Sequence, residues 1–329
     1  MRCSATRCLG CTRDGLLPIR AYRTDSVHGK LLFGQASICR CQSCGLVQIA
    51  PIPAPGDLRN YYAIGYRESG RYGSEQASAS QFPRDNLFYF NRGESATTLL
   101  ASFVGPRARE GMLRVLDIGA GFGHTLYSLT TRYPGSESFA VEISEPCVHH
   151  LMSLGVTVYT APAAEVISAL KERFDLIILS HVLEHLPDPV GTLAALRRLL
   201  LPGGLLYIEV PNIPPDSLTR YPKHKWFPRA DEPHITFFSR ETLRAALKTQ
   251  QWRILFCETA GPEYRFVSRL RFHAPQLRPL ILGLLPRGLK AFLRRQRLTK
   301  TLQMSEREPS FYEYGGCRLW LRSVSTPSG

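Results

Sequence analysis

From Leu113 onward, short apolar or β-branched runs alternate with helical stretches. Leu113–Ile118, Ser138–Ile143, Val156–Tyr159, Phe174–Ser180 and Leu205–Val210 read as strands covered on both faces, because they show no polar alternation. Glu145–Leu154 and Val190–Leu201 have the spacing of helices between them, and Trp252–Glu258 and Cys317–Val324 supply two later strands. This order predicts an α/β fold with a doubly wound parallel sheet. Residues 57–109 are aromatic and polar and turn helical toward their end. The Pro51–Gly56 run, with three prolines, predicts a linker that ends the first module near residue 56.

Six of the nine cysteines fall within the first 44 residues, and they change the picture of that module. Met1–Gly15 holds three of them and no continuous apolar stretch, so it does not read as a secretory signal. In a reducing cytoplasm clustered cysteines point to metal rather than to disulfides. Cys8-Leu9-Gly10-Cys11 and Cys41-Gln42-Ser43-Cys44-Gly45 each place two thiolates on one tight turn, and two such turns make the four-sulfur tetrahedron that structural Zn²⁺ takes. Cys8, Cys11, Cys41 and Cys44 are the expected ligands, with Cys3 and Cys39 as possible substitutes; the alternative is a set of free thiols. Leu31, Leu32, Phe33 and Ile38 between the knuckles are expected to form a short hairpin.

The stretch richest in chemistry is Val115–His124, a buried strand that runs into Gly119-Ala120-Gly121-Phe122-Gly123 and then a helix. Glycines at a strand's carboxyl end let a ligand lie against the main chain. The spacing is neither that of a phosphate loop nor that of a dinucleotide fingerprint. Asp117 precedes the turn, and Glu142 ends the next strand at a distance suited to a ribose diol.

Asp117–Gly123 resembles the first motif of class I S-adenosylmethionine-dependent methyltransferases. The resemblance extends to Glu142, to Phe174–His185 with its Leu183-Glu184-His185, to Leu200–Leu205, and to Glu232–Ser239 followed by Thr242-Leu243. It implies a Rossmann-like sheet of seven strands, the last antiparallel, in a methyltransferase domain over 113–329. That domain would follow a zinc-ribbon module at 1–56 and a helical cofactor-covering cap at 57–112, and would carry a basic apolar insertion at 261–315. It further implies S-adenosylmethionine as co-substrate, held by Asp117, Gly119, Gly121, Gly123, Glu142 and Ser180, with Ala161–Glu165 over the adenine. Among small-molecule members the layout is similar to deoxysugar C-methyltransferases. Of their Tyr-His-Glu-His run only His234 stands here, after Asp231-Glu232-Pro233, which favours a hydroxyl over a carbon acceptor.

A hydroxyl acceptor must lose a proton, and histidine titrates in the working range. His185 and His234, then His181, are therefore the candidate bases, with a structural or cofactor-contacting role open for each. The balance of 41 basic against 27 acidic residues gives a net charge of +14. Ten of the basic residues lie between Arg265 and Lys300 with no acid among them. Interleaved with Leu280, Ile281, Leu284, Leu285, Leu289 and Phe292, they read either as a segment for an anionic membrane surface or as a packed lid with a solvated basic face. The expectation is a cytoplasmic enzyme, free or peripheral at the inner face of the membrane, that methylates a hydroxyl of a saccharide or related metabolite, free or glycan-linked. An rRNA or tRNA methyltransferase, a sugar C-methyltransferase and a non-catalytic zinc-containing binding protein are the alternatives.

Overall fold

A computed structural model describes residues 7–22, 27–62, 87–105, 108, 111–213, 234–260 and 320–328. The basic segment 265–300, the rest of the 261–315 insertion and Asp231-Glu232-Pro233 lie outside the described residues.

The first module holds β1 (Leu16–Ala21), α1 (Val27–Phe33), β2 (Ser37–Cys41) and β3 (Val47–Ala50). Leu31, Leu32 and Phe33 belong to α1 and not to a hairpin; Phe33 is fully buried while Leu31 faces solvent, a one-sided helical face rather than strand alternation. The hairpin lies one element later. It joins β2 to β3 across the second cysteine knuckle, with Cys39 opposite Gln48 and Arg40 opposite Val47. Gly45 closes this turn at φ +75°, a conformation open to glycine at little cost. Pro55 does not extend the linker but starts α2 (Pro55–Asn60), where a missing N–H costs nothing.

The remaining elements are α3 (Leu87–Leu100), β4 (Arg114–Ile118), α4 (His124–Arg132), β5 (Glu137–Val141), α5 (Glu145–Ser153), β6 (Thr157–Tyr159), α6 (Ala163–Ala169) and β7 (Phe174–Ser180). After a 3₁₀ turn (Leu183–His185) come α7 (Pro189–Leu196), β8 (Leu200–Pro211), β9 (Thr236–Phe237), α8 (Arg240–Thr249), β10 (Trp252–Ala260) and β11 (Trp320–Pro327). The large sheet has the order β10-β11-β8-β7-β4-β5-β6, the expected seven strands. Its pairs β8–β7, β7–β4, β4–β5 and β5–β6 are parallel. The chain reverses its direction of winding between β4 and β7, so a crevice opens beyond the carboxyl ends of these strands. Leu116, Ile118, Ile177 and Leu179 pack on one face of the sheet, and Val115, Leu176, Ile178 and Tyr207 on the other.

The small sheet is completed by a short strand from later in the chain, and Cys8, Cys41 and Leu46 of the first module pack into the core on one face of the large sheet. β9 pairs antiparallel with β3, Val47 opposite Phe237 and Gln48 opposite Thr236, so the small sheet runs β1-β2-β3-β9. Ile213, Ile235 and Phe237 share a core with Tyr22, Phe33, Ile38 and Ile49 of the first module.

A buried charge cluster fastens β11 to β8. Glu209 Oε2 accepts from Arg322 Nε at 2.6 Å and from the Tyr207 hydroxyl at 2.9 Å, while Arg322 Nη1 donates to Ser95 Oγ of α3 at 2.8 Å. Burial opposes ionisation of Glu209, but Arg322, His181 and Arg92 hold its pKa well below the usual carboxylate range. Removing one partner from such a cluster leaves a desolvated charge, which costs about 3–5 kcal/mol. Arg322→Met is therefore expected to lower the unfolding free energy measured by denaturant titration by that amount, and a loss below about 1 kcal/mol would show that the strand does not depend on the pair.

Candidate functional site

β4 delivers Asp117 and the glycine turn to the carboxyl edge of the sheet. Gly119, Gly121 and Gly123 have φ of +69°, +56° and +75°, values that favour glycine. Two of the three are also held by contact: a Cβ on Gly119 would lie 2.5 Å from Val182 Cγ2, and one on Gly123 2.6 Å from Leu151 Cδ2. Around a Cβ placed on Gly121, nothing among the described residues stands within 4 Å. The turn is therefore packed from beneath at both ends and open at its middle.

Glu142, just past β5, grips this open middle. Its Oε2 accepts the Gly121 N–H at 2.8 Å, and its Oε1 accepts the N–H groups of Ile143 and Ser144, both at 2.9 Å. Each carboxylate oxygen has two lone pairs, so Oε2 keeps acceptor capacity for a ligand hydroxyl. Asp117 is nearly sealed from solvent, and burial pushes its pKa up to about 8; Arg92 pulls it down and Glu142 adds to the rise.

Arg92 was not legible as a site residue. It lies on α3, which can cross the start of α4 because Gly93 has no side chain; a Cβ there would meet the His124 carbonyl oxygen at 2.7 Å. The approach brings the Arg92 guanidinium 3.3 Å from Glu209 Oε1. From there its charge acts on Asp117, His124 and His181. Burial, with help from Arg92 and His150, lowers the pKa of His124 to about 4.

The three candidate histidines converge beyond β7. Ser180 ends that strand opposite Glu209, and His181 follows at φ +58° with its N–H donating to the Glu209 carbonyl at 2.7 Å. His181 Nδ1 is 3.3 Å from Glu184 Oε1 and its Nε2 is 3.4 Å from Glu209 Oε1. Burial and Arg92 oppose charge on this ring, yet the two carboxylates raise its pKa above the usual value. Glu184 is 1 % exposed; burial would raise its pKa, and His181, His185 and His234 bring it below the ordinary range. His185 Nδ1 is 3.0 Å from the Tyr62 hydroxyl and its Nε2 is 4.0 Å from Glu184 Oε1. The His185 and His234 rings meet edge to face with centroids 4.8 Å apart. Tyr62, Glu184 and Glu209 complete a site that sequence reasoning had populated only with histidines. Glu184 was visible as part of the Leu-Glu-His run, whereas Tyr62 carried no signal beyond being one of several tyrosines in its region.

The cysteine module has the donor set for a metal. The sulfurs of Cys8, Cys11, Cys41 and Cys44 all lie within 4.8 Å of one another. Cys8 Sγ is 3.5 Å from Cys44 Sγ, and Cys11 Sγ is 3.6 Å from Cys41 Sγ. Main-chain N–H groups point at the sulfurs: those of Gly10 and Cys11 toward Cys8, and those of Ser43 and Cys44 toward Cys41. Burial raises the Cys8 thiol far above its usual value and takes Cys44 to about 11. At Cys41 the N–H groups outweigh burial and bring it to about 7. Four crowded sulfurs ringed by N–H donors suit a cation that converts them to thiolates.

The chain matches the family model described as "Methyltransferase domain" over residues 87–255. Over 109 residues it is 37% identical to a ubiquinone biosynthesis O-methyltransferase of Cereibacter sphaeroides, covering 32% of this chain and 44% of that one. Over 161 residues it is 28% identical to the protein of the same name from Brucella ovis, covering 46% of this chain and 63% of that one. The matches thus span about half the length of these relatives. A solved S-adenosylmethionine-dependent methyltransferase from Geobacter sulfurreducens, in complex with S-adenosylhomocysteine, aligns at a TM-score of 0.43 with 19% identity, over 71% of this chain and 90% of that one.

The sheet order and the glycine turn agree with the matched model in defining a methyltransferase domain. The matched region takes in just over half of the chain, and the chain belongs to the methyltransferase-domain family.

Asp117 gives a pH signature. Its folded pKa of about 8 lies above the unfolded value, so its contribution to stability is whole below about pH 4 and is lost as the pH rises toward 8. Asp117→Asn is expected to melt above the wild type at pH 8, with the difference shrinking as the pH falls to 5. A difference that stays constant or grows on acidification would mean that the carboxyl is ionised at ordinary cost.

Proposed function

We propose that this protein transfers the methyl group of S-adenosylmethionine to a hydroxyl of a small-molecule acceptor, a saccharide or related metabolite. The observation that carries the reading is the Glu142 carboxylate tied to the Gly121 N–H beneath an open space, at the crevice where the sheet order reverses. A ribose diol fits there with its hydroxyls donating to Glu142, and the methionine portion would lie along Gly119–Gly123 toward Arg92. Asp117 braces the turn from below, Ser180 stands at the end of β7, and Ala161–Glu165 is the segment assigned to the adenine. The names of the ubiquinone biosynthesis relatives support oxygen as the methylated atom.

Bound S-adenosylmethionine supplies an electrophilic sulfonium methyl, so the protein has only to orient the acceptor and take its proton. His185 is assigned that proton. With its Nδ1–H donating to the Tyr62 oxygen, its Nε2 lone pair is left for the acceptor hydroxyl, and Glu184 stabilises the imidazolium that forms. The acceptor oxygen bonds to carbon, the carbon–sulfur bond breaks with its electron pair on sulfur, and the proton ends on Nε2. His234 walls the acceptor side against His185. His181, between two carboxylates, serves as fixed positive charge rather than as a base. In the first module Cys8, Cys11, Cys41 and Cys44 are assigned structural Zn²⁺, which fills its tetrahedron with protein ligands and leaves none for substrate. Peripheral membrane contact through 265–300 belongs to the same proposal and rests on sequence composition.

Two measurements test the reading. Glu142→Ala is expected to weaken S-adenosylhomocysteine binding at least tenfold, since one hydrogen bond to a charged group contributes about 1.5–3 kcal/mol; unchanged affinity would remove the ribose role. Purified protein prepared without chelator is expected to carry about one equivalent of zinc, and its release should expose four reactive thiols. Metal content well below half an equivalent would dismiss the four-sulfur site.

A further inference from the structure

The cysteine module and the acceptor histidines are linked by three short paths. The first runs through Gln48, a fully buried polar side chain on β3. Its Oε1 accepts the Leu9 N–H inside the first knuckle at 2.7 Å, and its Nε2 donates to the Arg7 carbonyl at 3.3 Å. The backbone of the same residue stands opposite Thr236, two positions after His234. The second runs through Ile235. Its carbonyl accepts from Ile49 N of the module at 2.9 Å, and its N–H donates to the Glu184 carbonyl at 2.8 Å. The residue that follows His234 is thereby held between β3 on one side and the turn carrying Glu184 and His185 on the other. The third is a chain of aromatic contacts from the module core. Tyr22 meets Phe33, Phe33 meets Tyr61, and Tyr61 meets Tyr62 with centroids 5.3–5.9 Å apart; Tyr62 then reaches His185.

A purely separate zinc ribbon would need none of these links. A misplacement of about 1 Å at a reacting group can cost on the order of 10²-fold in rate, so whatever fixes the register of β9 against β3 also fixes the chemistry at His234. Gln48 bonds directly to the knuckle backbone from β3, the strand that pairs with β9.

We infer that Gln48 is a positioning residue through which the metal-loaded cysteine cluster sets the placement of His234 and His185 at the acceptor site. The inference rests on the proposed roles of those histidines, but its test does not require turnover. The imidazole ¹H–¹⁵N resonances of the full-length protein would be assigned with His234→Gln and His185→Gln. They would then be compared in the zinc-loaded wild type, in wild type after thiol-reagent release of zinc, and in zinc-loaded Gln48→Leu and Gln48→Glu. Zinc release and Gln48→Leu are expected to move the His234 and His185 signals in the same direction while leaving His124 unmoved. Gln48→Glu, which keeps an acceptor for Leu9 N–H, should fall closer to the wild type. S-adenosylhomocysteine affinity should stay within about twofold in all four. Coincident His234 and His185 signals with and without zinc would overturn the coupling, as would loss of zinc and of S-adenosylhomocysteine binding together in both Gln48 variants. Failure of the wild type to bind S-adenosylhomocysteine would instead strike at the methyl-donor pocket and leave these resonances readable.

Discussion

A parallel sheet brings the carboxyl ends of its strands to one edge, and this chain has put an acid at or just beyond four of them. Across the neighbours β8, β7, β4 and β5 these are Glu209, Glu184, Asp117 and Glu142. Acids crowded at one edge in a desolvated setting cannot all be ionised unless each is given its own donors. The four are satisfied in different ways. Glu209 takes two arginines and a tyrosine, Glu184 sits among histidines, Glu142 takes main-chain N–H groups, and Asp117 remains largely protonated at neutral pH. The rest of the site follows from these assignments, because the partners that neutralise one acid are thereby fixed in place around the next.

The division has a chemical consequence. The Glu142 and Asp117 half of the edge is built of backbone and small groups, with space above Gly121, and so suits a polar ligand laid against the main chain. The Glu184 and Glu209 half is built of titratable side chains that can hold charge and pass protons. In the proposed reading, a methyl donor on the first half and a hydroxyl acceptor on the second would place electrophile and base on opposite sides of a single crevice. Catalysis here asks for alignment more than for reactive groups, and rigid alignment is what the buried pairs provide.

The sequence revealed the β4 half well, since a buried strand, three glycines and a following acid form one local pattern, and Phe174–Ser180 could be read to the residue. It revealed far less of what arrives from a distance. Arg92 reaches Glu209 only because Gly93 lets two helices touch, and Arg322 comes from the last strand; neither has a local signature. Tyr62 looked like any tyrosine of its region. The cysteine spacing announced a knuckle pair, but the same stretch misdirected the reading of Leu31, Leu32 and Phe33, since a short apolar run suits helix and strand alike. The two-residue β9 is too short for any periodicity to mark it, although it brings a late part of the chain into the first module's sheet.

The cysteine module takes β9 as the fourth strand of its sheet and so is joined to the segment that carries His234. The donor half, whose strands β4 and β5 share a core with Cys8, Cys41 and Leu46 of the module, supports the whole account. Isothermal titration of folded, ligand-stripped protein with S-adenosylhomocysteine puts that half to the test most directly. The account predicts one bound equivalent with measurable heat, and an absence of binding at millimolar ligand would contradict it.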